Sequence, residues 1–213
     1  GAIFRSADRV YFLPHPTFNR PVPSPFYKKG DENIVLNVRH EAEARYVTVV
    51  NWWTSMPIAT SGQPARPGRR SRTAMFGTPS SSAVPLVDHI GFYGDVSMEG
   101  GVPGKPGRRN FNNNTRQVYW SYQVTGSGLF AHIPYDIFDE NGERERGTLR
   151  ADGTFDAATN SISGRLTDTD TDYKGTFRAQ MYGPDRAEMG IIFTFSRASD
   201  GSVYYGDYIG KRI

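Results

Sequence analysis

The chain has 213 residues, of which 37% are hydrophobic and 13% aromatic, so it is long and apolar enough to fold around one or two buried cores. Its 23 glycines and 14 prolines, and the lack of long apolar runs at helical spacing, favour short strands joined by turns. The sequence has no cysteine and no 18-residue apolar run, which excludes disulfides, thiolate metal sites, cysteine nucleophiles and a membrane-spanning helix.

The small net charge of +3 hides an uneven distribution of charged residues. Residues 1–115 carry 14 Lys and Arg against 8 Asp and Glu, whereas residues 116–213 carry 11 against 14. A local excess of positive charge attracts anionic ligands. The first half is therefore predicted to hold an anionic ligand, and the alternative is a solvated surface with uneven charge.

Three segments of the first half are predicted to be strands: Ile34–His40, Tyr46–Trp53 and Leu86–Tyr93. They are rich in β-branched and aromatic residues, which pack well on a pleated surface. In the first segment apolar and polar residues alternate, so that His40 continues an apolar face. In the third segment the same alternation places His89 on one face with Tyr93.

Two breaker-rich stretches organise the chain between these strands. Ser55–Pro85 is rich in Pro, Gly, Ser and Arg and is predicted to be a long mobile loop. Glu99–Asn114 is rich in Gly, Pro and Asn and continues neither a helix nor a central strand. It predicts a boundary between an N-terminal handle domain, residues 1–115, and a C-terminal barrel domain, residues 116–213.

Seven short alternating segments of the second half are predicted to be strands: Val118–Val124, Gly128–His132, Gly147–Ala151, Asn160–Leu166, Tyr173–Met181, Ala187–Phe195 and Ser202–Ile209. Turn signals such as Asp152–Gly153 and Asp200–Gly201 separate them. Closing such a meander removes its exposed edges. The predicted fold class is mainly β, with an N-terminal β-rich clamp or handle followed by a C-terminal eight-stranded antiparallel β-barrel. The barrel interior is predicted to be filled by side chains, leaving no ligand cavity, among them Leu166, Phe177, Phe193 and Phe195.

Four motifs of the second half resemble the C-terminal barrel of transferrin-binding-protein-B-like surface proteins of Gram-negative bacteria: Ser161–Leu166, Tyr173–Phe177, Met181–Gly190 and Gly206–Arg212. In that family, a Gly-x-Phe element and a Tyr-Gly-Pro run ending in Glu cross two barrel strands and the turn between them. The last strand of the family often closes with Gly-Lys-Arg. Here Ile191 stands where the family usually has a second glycine, a departure that concerns local turn or bulge geometry.

A single handle followed by a single barrel, without a lipidated cysteine, is similar to the haemophilins, secreted haemophores exported with the help of the Slam outer-membrane translocator. The resemblance implies an extracellular, monomeric protein that binds haem b for iron acquisition and passes it to an outer-membrane haem receptor. Host haem proteins are further partners that it implies, with neither nucleic-acid binding nor membrane insertion. Gly1 fits a mature chain from which a signal peptide has been removed.

Haem binding requires one or two axial iron ligands, which the resemblance leads us to seek among the histidines. A neutral imidazole binds iron through one nitrogen while the other nitrogen donates a hydrogen bond. The candidate iron ligands are His40, His89 and His15. The fourth histidine, His132, lies in the predicted barrel and is not expected to bind iron.

Haem also requires an apolar slot and cations near its propionates. The aromatic residues expected to line the slot are Trp52, Trp53, Phe92 and Tyr93, and Arg70 is the expected propionate partner because guanidinium matches carboxylate geometry. The alternative for the four aromatic residues is the core of a small domain. The alternative for Arg70 is a solvated loop.

Other classes of function have weaker support in the sequence. The Arg-rich stretch has no groove-binding helix, zinc site or aromatic platform beside it, so nucleic-acid binding is not predicted. No nucleophile–base motif or phosphate-binding glycine loop is present, so no enzyme is predicted. Asp168–Asp172 lacks the glycine and the last acidic residue of a calcium loop and is predicted to be a solvated hairpin turn. The main alternative to haem capture is a surface module that binds a host protein such as transferrin or complement factor H.

Overall fold

The computed structural model describes residues 9–10, 26–29, 34–39, 44–58, 66–81, 90–102, 120–125, 128–138, 144–168 and 170–213. The strands in these ranges are β1 (Arg9–Val10), β2 (Phe26–Lys29), β3 (Ile34–Arg39), β4 (Val47–Ile58), β5 (Arg66–Gly77), β6 (Ile90–Gly101), β7 (Trp120–Thr125), β8 (Gly128–Phe138), β9 (Arg144–Asp156), β10 (Ser161–Thr167), β11 (Lys174–Tyr182), β12 (Glu188–Arg197) and β13 (Ser202–Arg212). A single 3₁₀ turn, Pro184–Arg186, lies between β11 and β12. No helix in the described ranges has the length and apolar character needed to cross a membrane.

The chain divides into two compact units, called the handle unit and the barrel unit below. The handle unit comprises Gly1–Glu43 and Thr48–Phe76, and the barrel unit comprises Ala44–Val47 and Gly77–Ile213. This division differs from the predicted boundary between residues 115 and 116. The reason is β6, which pairs with β7 and β13 of the barrel and not with the handle sheet.

The handle unit contains a five-stranded sheet in the order β1-β2-β3-β4-β5. The first four strands pair antiparallel with their neighbours in sequence. The predicted strand at residues 34–40 is confirmed as β3 up to Arg39, and His40 lies outside the described residues. The predicted strand at residues 46–53 is confirmed as β4, which continues to Ile58.

The prediction of a long loop over residues 55–85 is wrong where the structure describes this stretch. Residues 55–58 belong to β4, and β5 occupies Arg66–Gly77 despite Pro67 and Gly68. The physical reason is the place of β5 at the edge of the sheet, where β4 is its one neighbour among the described strands. An edge strand tolerates a proline because half of its amide groups have no ladder partner.

The barrel unit closes on itself in the order β10-β11-β12-β13-β6-β7-β8-β9. Strands β7 to β13 follow the seven predicted segments in order, with ends shifted by up to six residues. The predicted turn at Asp152–Gly153 is wrong, because both residues lie inside β9 and pair with β8 and β10. The eighth strand is β6, whose residues 92–101 pair antiparallel with residues 203–212 of β13. The predicted third handle strand, residues 86–93, is therefore a barrel strand from Ile90 onward. The predicted number of barrel strands is confirmed.

Alternate residues along the barrel strands fill its interior. The four predicted interior side chains are all buried: Leu166, Phe177, Phe193 and Phe195. Ile191 is only 1% exposed and pairs regularly with Ala179 on β11 and Tyr208 on β13. The departure from the family motif at this position therefore adds one apolar side chain to the core and leaves the ladder without a bulge. Full burial of a side chain of this size contributes roughly 1.5–3 kcal/mol.

At the end of the barrel where β12 ends and β13 begins, Arg197 joins two carboxylates and an aromatic ring. It makes a bidentate ion pair with Glu145 and donates to Asp200 over 2.7 Å. Its guanidinium carbon lies 4.5 Å from the centre of the buried Tyr173 ring. Asp200 also accepts the backbone N–H of Ser202 over 2.9 Å. The hydrogen bond from Arg197 holds the pKa of Asp200 well below its usual range.

The aspartate-rich turn between β10 and β11 is only partly the solvated turn that was predicted. Asp168 is 4% exposed, and its carboxylate accepts backbone N–H groups of Thr148, Asp170 and Thr171 over 2.9, 2.8 and 3.1 Å. Asp170 and Asp172 are exposed. Asp168 therefore ties this turn to β9, because a buried carboxylate requires donors of this kind.

The variant Asp200→Asn tests the Arg197 cluster. A carboxylate whose folded-state pKa is depressed contributes its full stabilisation above the ordinary aspartate pKa of about 4, and that stabilisation is lost as the pH falls through the lower folded-state value. We expect the variant to lose about 1–3 kcal/mol of unfolding free energy at pH 7. Urea titrations should show the difference from wild type shrinking below about pH 4.

Asp152→Asn is the matched control, because the ion pair of Asp152 with Arg150 lies on the surface, with 53% and 57% of the two side chains exposed. An exposed pair of this kind contributes at most about 1 kcal/mol. A loss in Asp200→Asn at pH 7 that is no larger than the loss in Asp152→Asn would contradict the assignment.

Candidate functional site

The handle sheet places the two candidate tryptophans in its central part. Trp52 is the register partner of Leu36, which is in turn the register partner of Tyr27 on β2. In the next pair along the two strands, Trp53 is the register partner of Val35. Register partners are the nearest cross-strand neighbours of an antiparallel sheet. The positions of the two tryptophans are therefore next to apolar positions of β3.

The strand β5 is the basic edge of the same sheet. It carries no acidic residue and four arginines: Arg66, Arg69, Arg70 and Arg72. Arg70, the predicted propionate partner, thus belongs to a strand and not to a solvated loop. Near the end of β5, the side chain of Phe76 is 58% exposed. The edge of the sheet therefore combines concentrated positive charge with one exposed aromatic ring.

The three predicted iron ligands, His15, His40 and His89, lie outside the described residues. In sequence, His40 directly follows β3 of the handle sheet, whereas His89 directly precedes β6 of the barrel. The strands next to these two histidines therefore belong to different units. Their joint action on one iron stays a prediction.

The structure corrects the assignment of Phe92 and Tyr93 to a slot in the handle. Both lie on β6 of the barrel, on opposite faces of the strand because successive side chains alternate. Phe92 is fully buried in the barrel core, whereas the ring of Tyr93 is 44% exposed. The four aromatic residues predicted to line the slot therefore do not lie together on the handle sheet. Only Trp52, Trp53 and Arg70 of the set lie on the handle sheet.

The fourth histidine, His132, is exposed on the barrel. Its ring meets the ring of Phe130 edge-on, with 4.9 Å between centres, and the guanidinium of Arg150 lies 5.3 Å from the same ring. This small cluster needs no bound ion to explain it. In the ranges that the structure covers, no group of three or more His, Asp or Glu side chains is arranged to hold a metal ion.

The Tyr182–Glu188 turn between β11 and β12 forms a second site, and its role was not recognised in the sequence. Glu188 is buried, with 2% of its surface exposed. It accepts the backbone N–H groups of three successive residues, Arg45, Tyr46 and Val47, over 2.7, 2.9 and 3.0 Å. Successive N–H groups that converge in this way bind an anion. The turn thereby fixes the segment that enters β4.

The same turn holds the segment that leaves β5. The hydroxyl of Ser80 donates to the Gly183 carbonyl over 2.7 Å, and the Ser80 N–H donates to the Met181 carbonyl over 3.0 Å. Asn160 donates from its side chain to the Ser80 carbonyl and accepts from the buried Arg186, each over 3.3 Å. These bonds all lie within the barrel unit.

Gly183 is required at this turn for two reasons. Its φ of 75° lies in the left-handed region, where residues with a side chain are strained. A Cβ atom there would also lie 2.4 Å from the ring of Tyr46. The Tyr-Gly-Pro motif therefore forms the turn against which residues 44–47 pack. The family pattern marks this motif in the sequence but does not give its structural role.

The variant Glu188→Gln tests this docking. Glutamine replaces one carboxylate oxygen of Glu188 by an NH₂ group, which is a donor and cannot accept the backbone N–H groups facing it. Part of the set of three buried hydrogen bonds is therefore lost. We expect a loss of about 2–4 kcal/mol of unfolding free energy in urea titrations at pH 7. Hydrogen exchange should rise at the amides of residues 45–47.

Asp185→Asn is the matched control, since it removes the same charge from an exposed position of the same turn. Its φ of 51° is one that asparagine adopts readily. Equal stability of the Glu188 and Asp185 variants would refute a structural role for the buried carboxylate.

No protein-family model and no curated protein matches this chain. Among solved structures, it is similar to intact Ap-TbpB (N and C lobes), with a TM-score of 0.57 and 14% identity over 88% of this chain and 37% of that chain. It is also similar to the isotype 1 transferrin binding protein B (TbpB) from serogroup B Neisseria meningitidis, with a TM-score of 0.54 and 12% identity over 97% of this chain and 39% of that one.

This chain thus spans less than two fifths of the length of both solved chains. At 12–14% identity the similarity is one of fold. It extends over the handle and the barrel alike, and it agrees with the mainly β fold class predicted from the sequence. The chain therefore has the fold of part of transferrin binding protein B.

Proposed function

We propose that this chain is a secreted or surface-held binding protein that captures a host protein, with the handle unit as the binding surface. The observation that carries the proposal is the shared fold with two solved proteins that bear the name transferrin binding protein B, over 88% and 97% of this chain. Fold alone does not specify a ligand. The choice of the handle rests on charge and exposure.

The two units differ in the sign of their charge. Residues 1–43 and 48–76 carry 10 Lys and Arg against 5 Asp and Glu, a net charge of +5. Residues 44–47 and 77–213 carry 15 against 17, a net charge of −2. Charge of one sign on a binding surface speeds association with a partner of the other sign. The handle unit is therefore suited to an acidic surface of a host protein.

The barrel unit is less suited to bind a ligand in its interior. Its core is occupied by large buried side chains, among them Phe92, Tyr173, Phe195, Tyr204 and Tyr208. Small eight-stranded barrels filled in this way have no room for a ligand. We assign the barrel to folding, export or receptor docking, and we assign no catalysis to the chain.

Biolayer interferometry with the immobilised chain tests the proposal against a panel of human transferrin, lactoferrin, complement factor H and haemoglobin. We expect saturable binding of one of these proteins, weakened as the salt concentration rises because the handle is basic. Absence of saturable binding to every member of the panel would count against host-protein capture from this set.

A triple variant, Arg69→Ser with Arg70→Ser and Arg72→Ser, tests the handle as the binding surface. We expect about tenfold weaker binding or more, mainly through a slower association rate. The double variant Arg165→Ser with Arg178→Ser is the control, since both arginines are exposed on the barrel. An equal effect of the two variants would place the binding surface elsewhere.

Haem is a second candidate ligand, favoured by one observation. His40 directly follows β3, and the neighbouring strand β4 carries Trp52 and Trp53 at register positions beside Leu36 and Val35. Purified protein titrated with haemin should then develop a saturable Soret band at equimolar haem. We expect His40→Ala and His89→Ala, made singly, to shift or bleach that band and His132→Ala to leave it unchanged. A Soret band that none of the histidine variants alters would reject the ligand assignment.

A further inference from the structure

The outer face of β10 and β11 carries a compact group of exposed polar side chains. Ser163 and Arg165 of β10 and Thr176 and Arg178 of β11 are all exposed. Ser163 is the register partner of Arg178, and Arg165 is the register partner of Thr176. Guanidinium groups and hydroxyls therefore alternate at the four corners of one rectangle, called the polar block below. The two arginines are diagonal neighbours, with about 7–8 Å between their positions.

Neither arginine of the polar block is neutralised by a carboxylate. Asp152 on β9 is the register partner of Arg165, but its two carboxylate oxygens accept from Arg150 over 2.8 and 3.3 Å. Among the described residues, no carboxylate pairs with Arg165 or Arg178. Two neighbouring positive charges repel each other, so an anion held between them would relieve that repulsion.

The backbone behind the polar block is held in place by close packing. Gly164 lies between the two block residues of β10, and a Cβ atom there would lie 2.1 Å from the carbonyl oxygen of Asp152. Its register partner Phe177 is only 3% exposed and belongs to the barrel core. The four side chains therefore start from fixed positions, which lowers the entropy cost of ordering them around a ligand.

The chemistry of the polar block selects its ligand. Within the ranges that the structure covers, neither the Ser163 nor the Thr176 hydroxyl is engaged in a hydrogen bond. None of the large hydrophobic side chains exposed in these ranges lies on β10 or β11. These two strands therefore lack the aromatic anchors of a protein hot spot, a stacking platform for bases and apolar groups for insertion into lipid. The guanidinium groups can bind a tetrahedral oxyanion through paired hydrogen bonds, and the hydroxyls can bond to sugar hydroxyls.

We propose that the polar block binds a sulfated glycan. One sulfate ester lies between Arg165 and Arg178, and hydroxyls of the neighbouring sugars bond to Ser163 and Thr176. The block is a local basic site on a unit whose net charge is −2. This inference goes beyond host-protein capture and does not depend on it, because all four residues belong to the barrel unit.

The first test is isothermal titration calorimetry with a heparin oligosaccharide. The full chain carries serine at Arg69, Arg70 and Arg72, so that the basic strand β5 does not dominate binding. We expect saturable binding, and an unsulfated oligosaccharide of equal length should not bind. Adding Arg165→Ser or Arg178→Ser should weaken binding about fivefold or more in each case, because one guanidinium contact is lost.

Arg146→Ser in the same background is the matched control. It removes the same charge from an exposed arginine of the barrel, which pairs with Asp136 over 3.3 Å and lies outside the polar block. We expect it to bind the heparin oligosaccharide normally. A loss of affinity in Arg146→Ser as large as that in Arg178→Ser would reduce the effect to general charge attraction and overturn the proposal.

The second test uses the unsubstituted chain and therefore does not depend on the folding of any variant. Phenylglyoxal modifies accessible arginines, and mass spectrometry locates the modified residues. The heparin oligosaccharide should shield Arg165 and Arg178 and leave Arg146 reactive. Absence of this shielding would overturn the proposal. Equal shielding by inorganic sulfate at the same sulfate concentration, or by phosphatidylglycerol vesicles, would reject a glycan as the ligand.

The outcomes for the two proposals are distinguishable. The glycan tests involve no host protein, so an inert host panel would count against the proposed function alone. A host protein that binds normally while the glycan shields neither Arg165 nor Arg178 would support the proposed function and remove this inference.

Discussion

The barrel unit depends on one buried carboxylate. Glu188 accepts the N–H groups of residues 45–47, which lie more than 140 positions earlier in the chain. A buried charge without donors is costly, and so are buried N–H groups without an acceptor, so each side of this contact requires the other. The same turn binds Ser80 through Met181 and Gly183. One short turn therefore fixes both the segment before β4 and the segment after β5.

The parts of the fold that follow from local patterns could be predicted from the sequence. Alternation of apolar and polar residues and turn-forming residues between the segments predict β7 to β13, since neighbouring strands in the meander pair with each other. The strand character of β6 was also visible, but its partner was not. Its pairing with β13 joins residues more than 100 positions apart, and no local pattern records such a contact. The strand β5 was missed because Pro67, Gly68 and four arginines resemble a loop, whereas at a sheet edge they are tolerated.

The same limit applies to the candidate site, of which only the local features could be predicted from the sequence. The basic charge of the first half and the aromatic strand with Trp52 and Trp53 were recognised from composition and spacing. Phe92 and Tyr93 were assigned to the handle only because they precede the breaker-rich stretch, and barrel closure overrides that order. The Tyr182–Glu188 motif was found as a family pattern. Its task, binding three N–H groups of a distant segment, depends on tertiary placement.

The pairing of β6 with β13, which closes the barrel, affects the order in which the chain folds. Among the barrel strands β13 comes last in sequence, so the ribosome synthesises it after the other seven. Until it arrives, β6 and β12 each lack one neighbour, and unpaired edges of this kind invite aggregation. Among the described strands, β1 to β4 pair with their neighbours in sequence, and the short loops between such strands close at a low entropy cost. The barrel therefore keeps two unpaired edges until its final strand has been synthesised.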